Sequence, residues 1–150
     1  MSLNFDGLLK ASLAVVNDGF QRAVSDLNDM ASEVDAAIKR NANARFGLSV
    51  SELTSDMKGS TYNVYFDPNI HSSKSVIIDV AYFRVPASGY PISIGLYQRN
   101  TRNFYPEASI SDRGELESVF ERFLQDPESA LIQAVGYALR SSGHEDDIPF

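Results

Sequence analysis

The chain of 150 residues has no cysteine. That excludes disulfides, thiolate metal sites and a cysteine nucleophile. It has only two histidines, His71 and His144, so a zinc site would have to combine both with carboxylates. The glycine-rich phosphate loops G-x-G-x-x-G and G-x-x-x-x-G-K do not occur, nor does the G-x-S-x-G nucleophile elbow. No apolar run approaches the ~20 residues that span a bilayer. The segment "ASLAVV" runs straight into Asn17 and Asp18 and is too short for a secretory signal. There is no internal repeat and no low-complexity tract.

A basic segment is missing as well. The chain carries 13 Lys and Arg against 20 Asp and Glu. Residues 112–150 hold nine of the acids, whereas residues 45–111 are nearly neutral. Binding to nucleic acid or to anionic lipid normally requires a cationic surface. No segment supplies one, so neither partner is expected. The hydrophobic fraction of 43% and charged fraction of 22% are those of a folded globular protein. One domain over residues 1–143 is expected, followed by an acidic tail at 144–150. The cysteine-free composition suits the cytoplasm.

What is present is a long periodic stretch. Leu9, Leu13, Val16, Phe20, Ala23, Leu27, Met30, Val34 and Ala37 recur at alternating spacings of four and three, the period of one helix face. No proline precedes position 68, and "RNANARFG" supplies a stop. The pattern predicts a helix over about residues 4–41, capped by Asn4 or Asp6. Such a helix runs about 55 Å, while a domain of this size has a radius of gyration of about 15 Å. The helix must therefore bend, with Gly19 as the weak point, or a second subunit must cover the excess. In the second case Leu9, Leu13, Val16, Phe20, Leu27, Met30 and Val34 form the seam of a homodimer.

Strand patterns follow. Phe46, Leu48 and Val50 alternate with small or polar residues, "DMKGS" turns the chain, and Tyr62, Val64 and Phe66 point inward on the return. "SVIIDVAYFRV" is apolar on both faces and predicts a central strand. "PISIGLYQR" and "FYPEASI" complete five strands, with Pro106 marking the last as an edge or bulged strand. Asp112 and Glu115 have the spacing of a capping box ahead of a helix. "DPES" predicts a further helix with Asp126 as N-cap and Pro127 in its first turn, ended by "SSG". The expected architecture is α+β: a long N-terminal helix, a five-stranded antiparallel meander, and two C-terminal helices packed on one face of it.

Candidate chemistry is sparse. His71 lies in a loop, and His144 stands with Glu145, Asp146 and Asp147 in the tail; neither has an evident serine partner. The carboxylates of Glu52, Asp56, Asp79 and Glu107 fall on strands or their ends, and sequence does not say which converge. The stretch "RNTRNFY" brings Arg99, Arg102 and Tyr105 together beside Tyr97. It is read either as a polar hairpin tip or as a contact for a carboxylate or phosphate, which arginine's forked donors suit. No catalytic residue, metal or cofactor is assigned.

Two functional readings remain open. The first is a non-catalytic interaction module, an adaptor, chaperone-like or immunity/antitoxin-type protein. It would be homodimeric, and a basic protein would be its partner, since acidic surfaces steer basic ones. The second is a small-molecule site or enzyme with a pocket between sheet and helices.

Overall fold

The computed structural model describes residues 4–146, with side chains described up to Ser141. Eight elements follow one another: α1 (Phe5–Asn41), β1 (Gly47–Asp56), β2 (Gly59–Asp67), β3 (Ile78–Pro86), β4 (Ile92–Gln98), β5 (Asn103–Ile110), α2 (Arg113–Gln125) and α3 (Ala130–Asp146). The strands form one antiparallel sheet in the order β1-β2-β3-β4-β5. A meander of this order is joined by hairpin connections, which are short here except for residues 68–77 between β2 and β3. The apolar-on-both-faces strand β3 is indeed central, and β5, with Pro106, is an edge strand.

Helix α1 is unbroken over 37 residues. Its first turn is held by Asn4, whose side chain accepts a 3.0 Å hydrogen bond from the Gly7 amide. Gly19 is not a hinge. A Cβ built there would lie 2.5 Å from the Ser88 carbonyl oxygen, and one on Gly89 would lie 2.3 Å from the Gly19 carbonyl oxygen. Two glycines thus let the helix backbone press against the β3–β4 turn, where Gly89 also takes a φ of +96°.

Beyond that contact the apolar stripe divides. Leu27, Met30 and Val34 are buried in the chain's own core and are not available to a dimer seam. Phe20 is partly buried against the same core. Leu9, Leu13 and Val16 remain exposed. The period of seven could not distinguish these halves, because the same stripe faces the sheet along one half and extends past the domain along the other.

Alternation sets the two faces of the sheet. Leu48, Val64, Phe66, Phe83, Val85 and Ile92 point to the helices. Phe83 stacks on Phe120 of α2 with ring centroids 5.8 Å apart, and Phe46 meets Phe66 edge-on at 5.4 Å. Side chains opposite one another in antiparallel strands share a face. The pairs Asn63↔Tyr82, Tyr65↔Asp79 and Thr61↔Arg84 therefore place these polar groups on the other, helix-free face. Register shifts at Val80 and at Glu107 each insert one residue and switch the alternation.

The C-terminal helices depart from the sequence reading at their ends. The Asp112–Glu115 box forms: the Glu115 amide donates to Asp112 Oδ1 at 2.9 Å, and Glu115 Oε2 accepts from the Ser111 amide at 2.7 Å. Asp126, however, closes α2, its amide donating to the Arg122 carbonyl oxygen. Its side chain accepts from the Glu128 amide in a local turn. Ser129 is the cap of α3, its Oγ accepting from the Ile132 amide at 3.1 Å. α3 then continues through "SSG" to Asp146, since serine and glycine are tolerated in a helix at modest cost. His144, Glu145 and Asp146 are thus part of this helix, and Asp147–Phe150 of the expected tail lie outside the described residues.

Candidate functional site

The "RNTRNFY" stretch is the hairpin tip between β4 and β5, and its side chains are dispersed. Tyr97 pairs with Phe104 and lies on the helix-free face, where its ring meets that of Tyr82 at 5.6 Å. Arg99 reaches the same face, its guanidinium 3.2 Å from Asp79 Oδ2. Tyr105 pairs with Leu96 on the helix side, its hydroxyl donating to Gln98 Oε1 at 3.4 Å. The extra residue Glu107 causes the separation: counted back from buried Ile110 by strict alternation, Tyr105 would face the way Arg99 does. Arg102 sits at the tip with φ 58° and makes no ion pair among the described residues. The cluster of Arg99, Arg102 and Tyr105 suggested by the sequence is not assembled.

A different cluster replaces it. On the helix-free face, the Asp79 carboxylate accepts from Asn63 Nδ2 at 2.8 Å, from the Tyr82 hydroxyl and from Arg99. Burial works against its charge, but these three donors outweigh it and hold the carboxyl below the usual aspartate range. Burial and the neighbouring Asp79 push the Tyr82 hydroxyl upward. Asn63 is nearly inaccessible, and its Oδ1 has no partner. The group is a polar network that ties β2, β3 and the end of β4 together.

The other candidate groups do not converge. Asp56 is matched to Arg84 at 2.9 Å, while Glu52 and Glu107 are exposed. His71 lies exposed in the β2–β3 loop. No group of three potential metal-ligating side chains occurs among the described residues. No helix among them is long and apolar enough to cross a membrane. Another acidic residue, unmarked in the sequence, is the most enclosed among the described residues: Asp26 of α1 accepts from the Tyr90 hydroxyl at 2.7 Å and from Arg113 at 2.6 Å. Burial, then the Asp26 carboxylate, raise the Tyr90 hydroxyl far above the tyrosine range. This arrangement fastens α1 to the β3–β4 turn and to the start of α2.

Besides a cleft of about 510 Å³ lined by Arg45, Phe46, Ile78 and Tyr137, three surfaces among the described residues can meet another molecule. The first is the overhanging half of α1, here called the arm. Its large apolar side chains are open to solvent, from Phe5 (68% exposed) and Leu9 (59%) to Val15 (73%). The second is a cleft of about 530 Å³ between the sheet and α2, floored by Val80, Ile94, Val119 and Phe123 and rimmed by Arg122 and Asp126. The third is a groove of about 160 Å³ between α1 and α2, with Met30, Val34, Phe120 and Leu124 along it and Glu33, Glu117 and Glu121 at its edges.

No known family, curated protein or solved structure matches the chain. The surfaces themselves carry the functional argument.

Proposed function

We propose that the protein is a non-catalytic, cytoplasmic interaction module that works as a homodimer paired through the arm of α1. The observation that carries this reading is the run of exposed Phe5, Leu8, Leu9, Leu13, Val15 and Val16 on a helix continuing past its own domain. A contiguous apolar patch of this kind marks an interaction surface. Covering these six side chains on two copies is worth on the order of 10 kcal/mol, comparable to the cost of association. Charge selects the occupant. Residues 5–22 carry Asp6, Lys10, Asp18 and Arg22 and are neutral, whereas the whole chain is at -7. A basic partner has nothing to recognise there, and two acidic copies approach each other with least repulsion along that segment.

The test is the oligomeric state. Wild-type protein at high micromolar concentration is expected to sediment as a dimer. Leu9→Asp combined with Leu13→Asp is expected to give a monomer with unchanged far-UV circular dichroism. A wild-type monomer at that concentration would end the reading.

A second reading, a small-molecule site, is favoured by the cleft, whose size lies within the range of ligand pockets. Filling it with Ala108→Trp would then abolish ligand-induced thermal shifts in a metabolite screen and leave dimerisation intact. A screen in which wild type and variant respond alike would retire this reading.

A further inference from the structure

The groove between α1 and α2 combines an apolar floor with charge of a single sign. Arg113, at the start of α2, contacts Asp26 and Asp29 of α1. Farther along, Glu117 and Glu121 of α2 line the groove with Glu33 of α1. The two helices therefore run side by side in the same sense, each presenting a row of acids. Along each row the like charges stand four residues apart: Asp29 with Glu33, and Glu117 with Glu121.

Like charges at that spacing lie one turn apart on the same helix face and destabilise it. Arg113 relieves Asp29 at the mouth of the groove. Arg113 also stands one turn before Glu117, whereas Glu33 and Glu121 have no basic residue three or four positions away in their own helices. No Lys or Arg lines the groove, and none of the three glutamates enters an ion pair among the described residues. Between the rows lie Met30, Val34 and Phe120, whose side chains are almost wholly buried, so that Leu124 is the one apolar side chain of the groove that is open to solvent. Local choices that work against stability and are not compensated within the fold mark functional surfaces.

We infer that this groove is the docking site for a basic, amphipathic segment of a partner protein. The segment places one large apolar side chain, or the aliphatic stem of a lysine, between the rows, and its cations meet Glu33, Glu117 and Glu121. The groove volume of about 160 Å³ suits one such side chain and little more. The match is of charge as well as shape, because cations brought between the rows relieve the repulsion within both helices. This assignment rests on the reading of the chain as an interaction module, and it is independent of the dimer, since the arm and the groove use different residues.

The probe is a fluorescein-labelled peptide of mixed lysine and leucine, titrated at low ionic strength and followed by anisotropy. The variant Glu33→Gln/Glu117→Gln/Glu121→Gln is expected to bind it at least tenfold more weakly. A control with the same three-unit loss of charge elsewhere, Asp18→Asn/Glu107→Gln/Glu128→Gln, is expected to lose less than threefold. Equal losses would mean that the peptide senses only net charge, and failure of the wild type to bind would also overturn the assignment. The groove variant should melt at a higher temperature than wild type. A lower one would show that the glutamates are there for the fold. The Leu9→Asp/Leu13→Asp variant is expected to bind the peptide as wild type does, which separates this result from the outcome of the dimer test.

Discussion

Asp26, in the middle of α1, and Arg113, the first residue of α2, form a 2.6 Å ion pair that spans 87 positions of sequence. The same carboxylate accepts the Tyr90 hydroxyl. One enclosed acid thus holds three elements. Asp26→Asn is expected to destabilise the protein by about 1–2 kcal/mol, since hydrogen bonds to charged groups contribute that much and Arg113 is half exposed. Asp29→Asn, which removes only the outer contact, should cost under about 0.5 kcal/mol. Urea unfolding of the two variants checks the contrast; equal costs would show that Asp26 is not the organising partner.

Gly19→Ala separates a hinge from a close approach. Alanine in a helix interior ordinarily gains about 1 kcal/mol over glycine. Here its Cβ would lie 2.5 Å from the Ser88 carbonyl oxygen, and displacing backbone costs about 1–3 kcal/mol. A net loss of about 0–2 kcal/mol is expected by thermal or urea denaturation. A gain would restore Gly19 as a flexible point.

The two arginines of the β4–β5 tip should behave differently. Arg102 holds a φ of 58°, so Arg102→Gly is expected to be neutral or to raise stability by up to about 1 kcal/mol. Arg99→Ala breaks a half-exposed pair with Asp79 and should cost about 0–1 kcal/mol. Differential scanning calorimetry of the single variants resolves the sign.

Asp79 gives the fold an acid dependence. Its carboxyl titrates below the ordinary value because Tyr82, Asn63 and Arg99 favour the charged form against the opposing effect of burial. A group depressed in the folded state contributes its full stability above its unfolded pKa of about 3.9 and loses it as pH falls through the folded value. Asp79→Asn is therefore expected to cost about 1–2 kcal/mol near neutrality. The gap between variant and wild type should narrow below about pH 4. Unfolding free energies at pH 7, 5 and 3 follow it; a gap independent of pH would mean that the charge contributes nothing.

Local features were legible because each depends on neighbours in the chain. The spacing of apolar residues from Leu9 to Ala37, the Asn4 cap, the Asp112–Glu115 box and Pro106 at an edge strand are of this kind. What failed were features set by single insertions or by distant partners. The bulge at Glu107 reversed the facing of Tyr105 and dispersed the apparent arginine–tyrosine cluster. Asp126 resembled an N-cap because its Asx-turn with Glu128 has the same local chemistry, while Ser129 makes the cap bond. The acidic groove had a partial signal, the like-charged pairs at i and i+4, but the pairs acquire meaning only when the two helices lie together.

The sequence alone determined an α+β chain with a long amphipathic helix, a meander and two closing helices, because hydrophobic period and turn chemistry are properties of adjacent residues. Tertiary packing decided how that helix is used. Leu27, Met30 and Val34 are buried while Leu9, Leu13 and Val16 stay in solvent. The reason is geometric: the helix is longer than the sheet it packs on, and the contact of Gly19 with the β3–β4 turn marks where its own domain stops covering it.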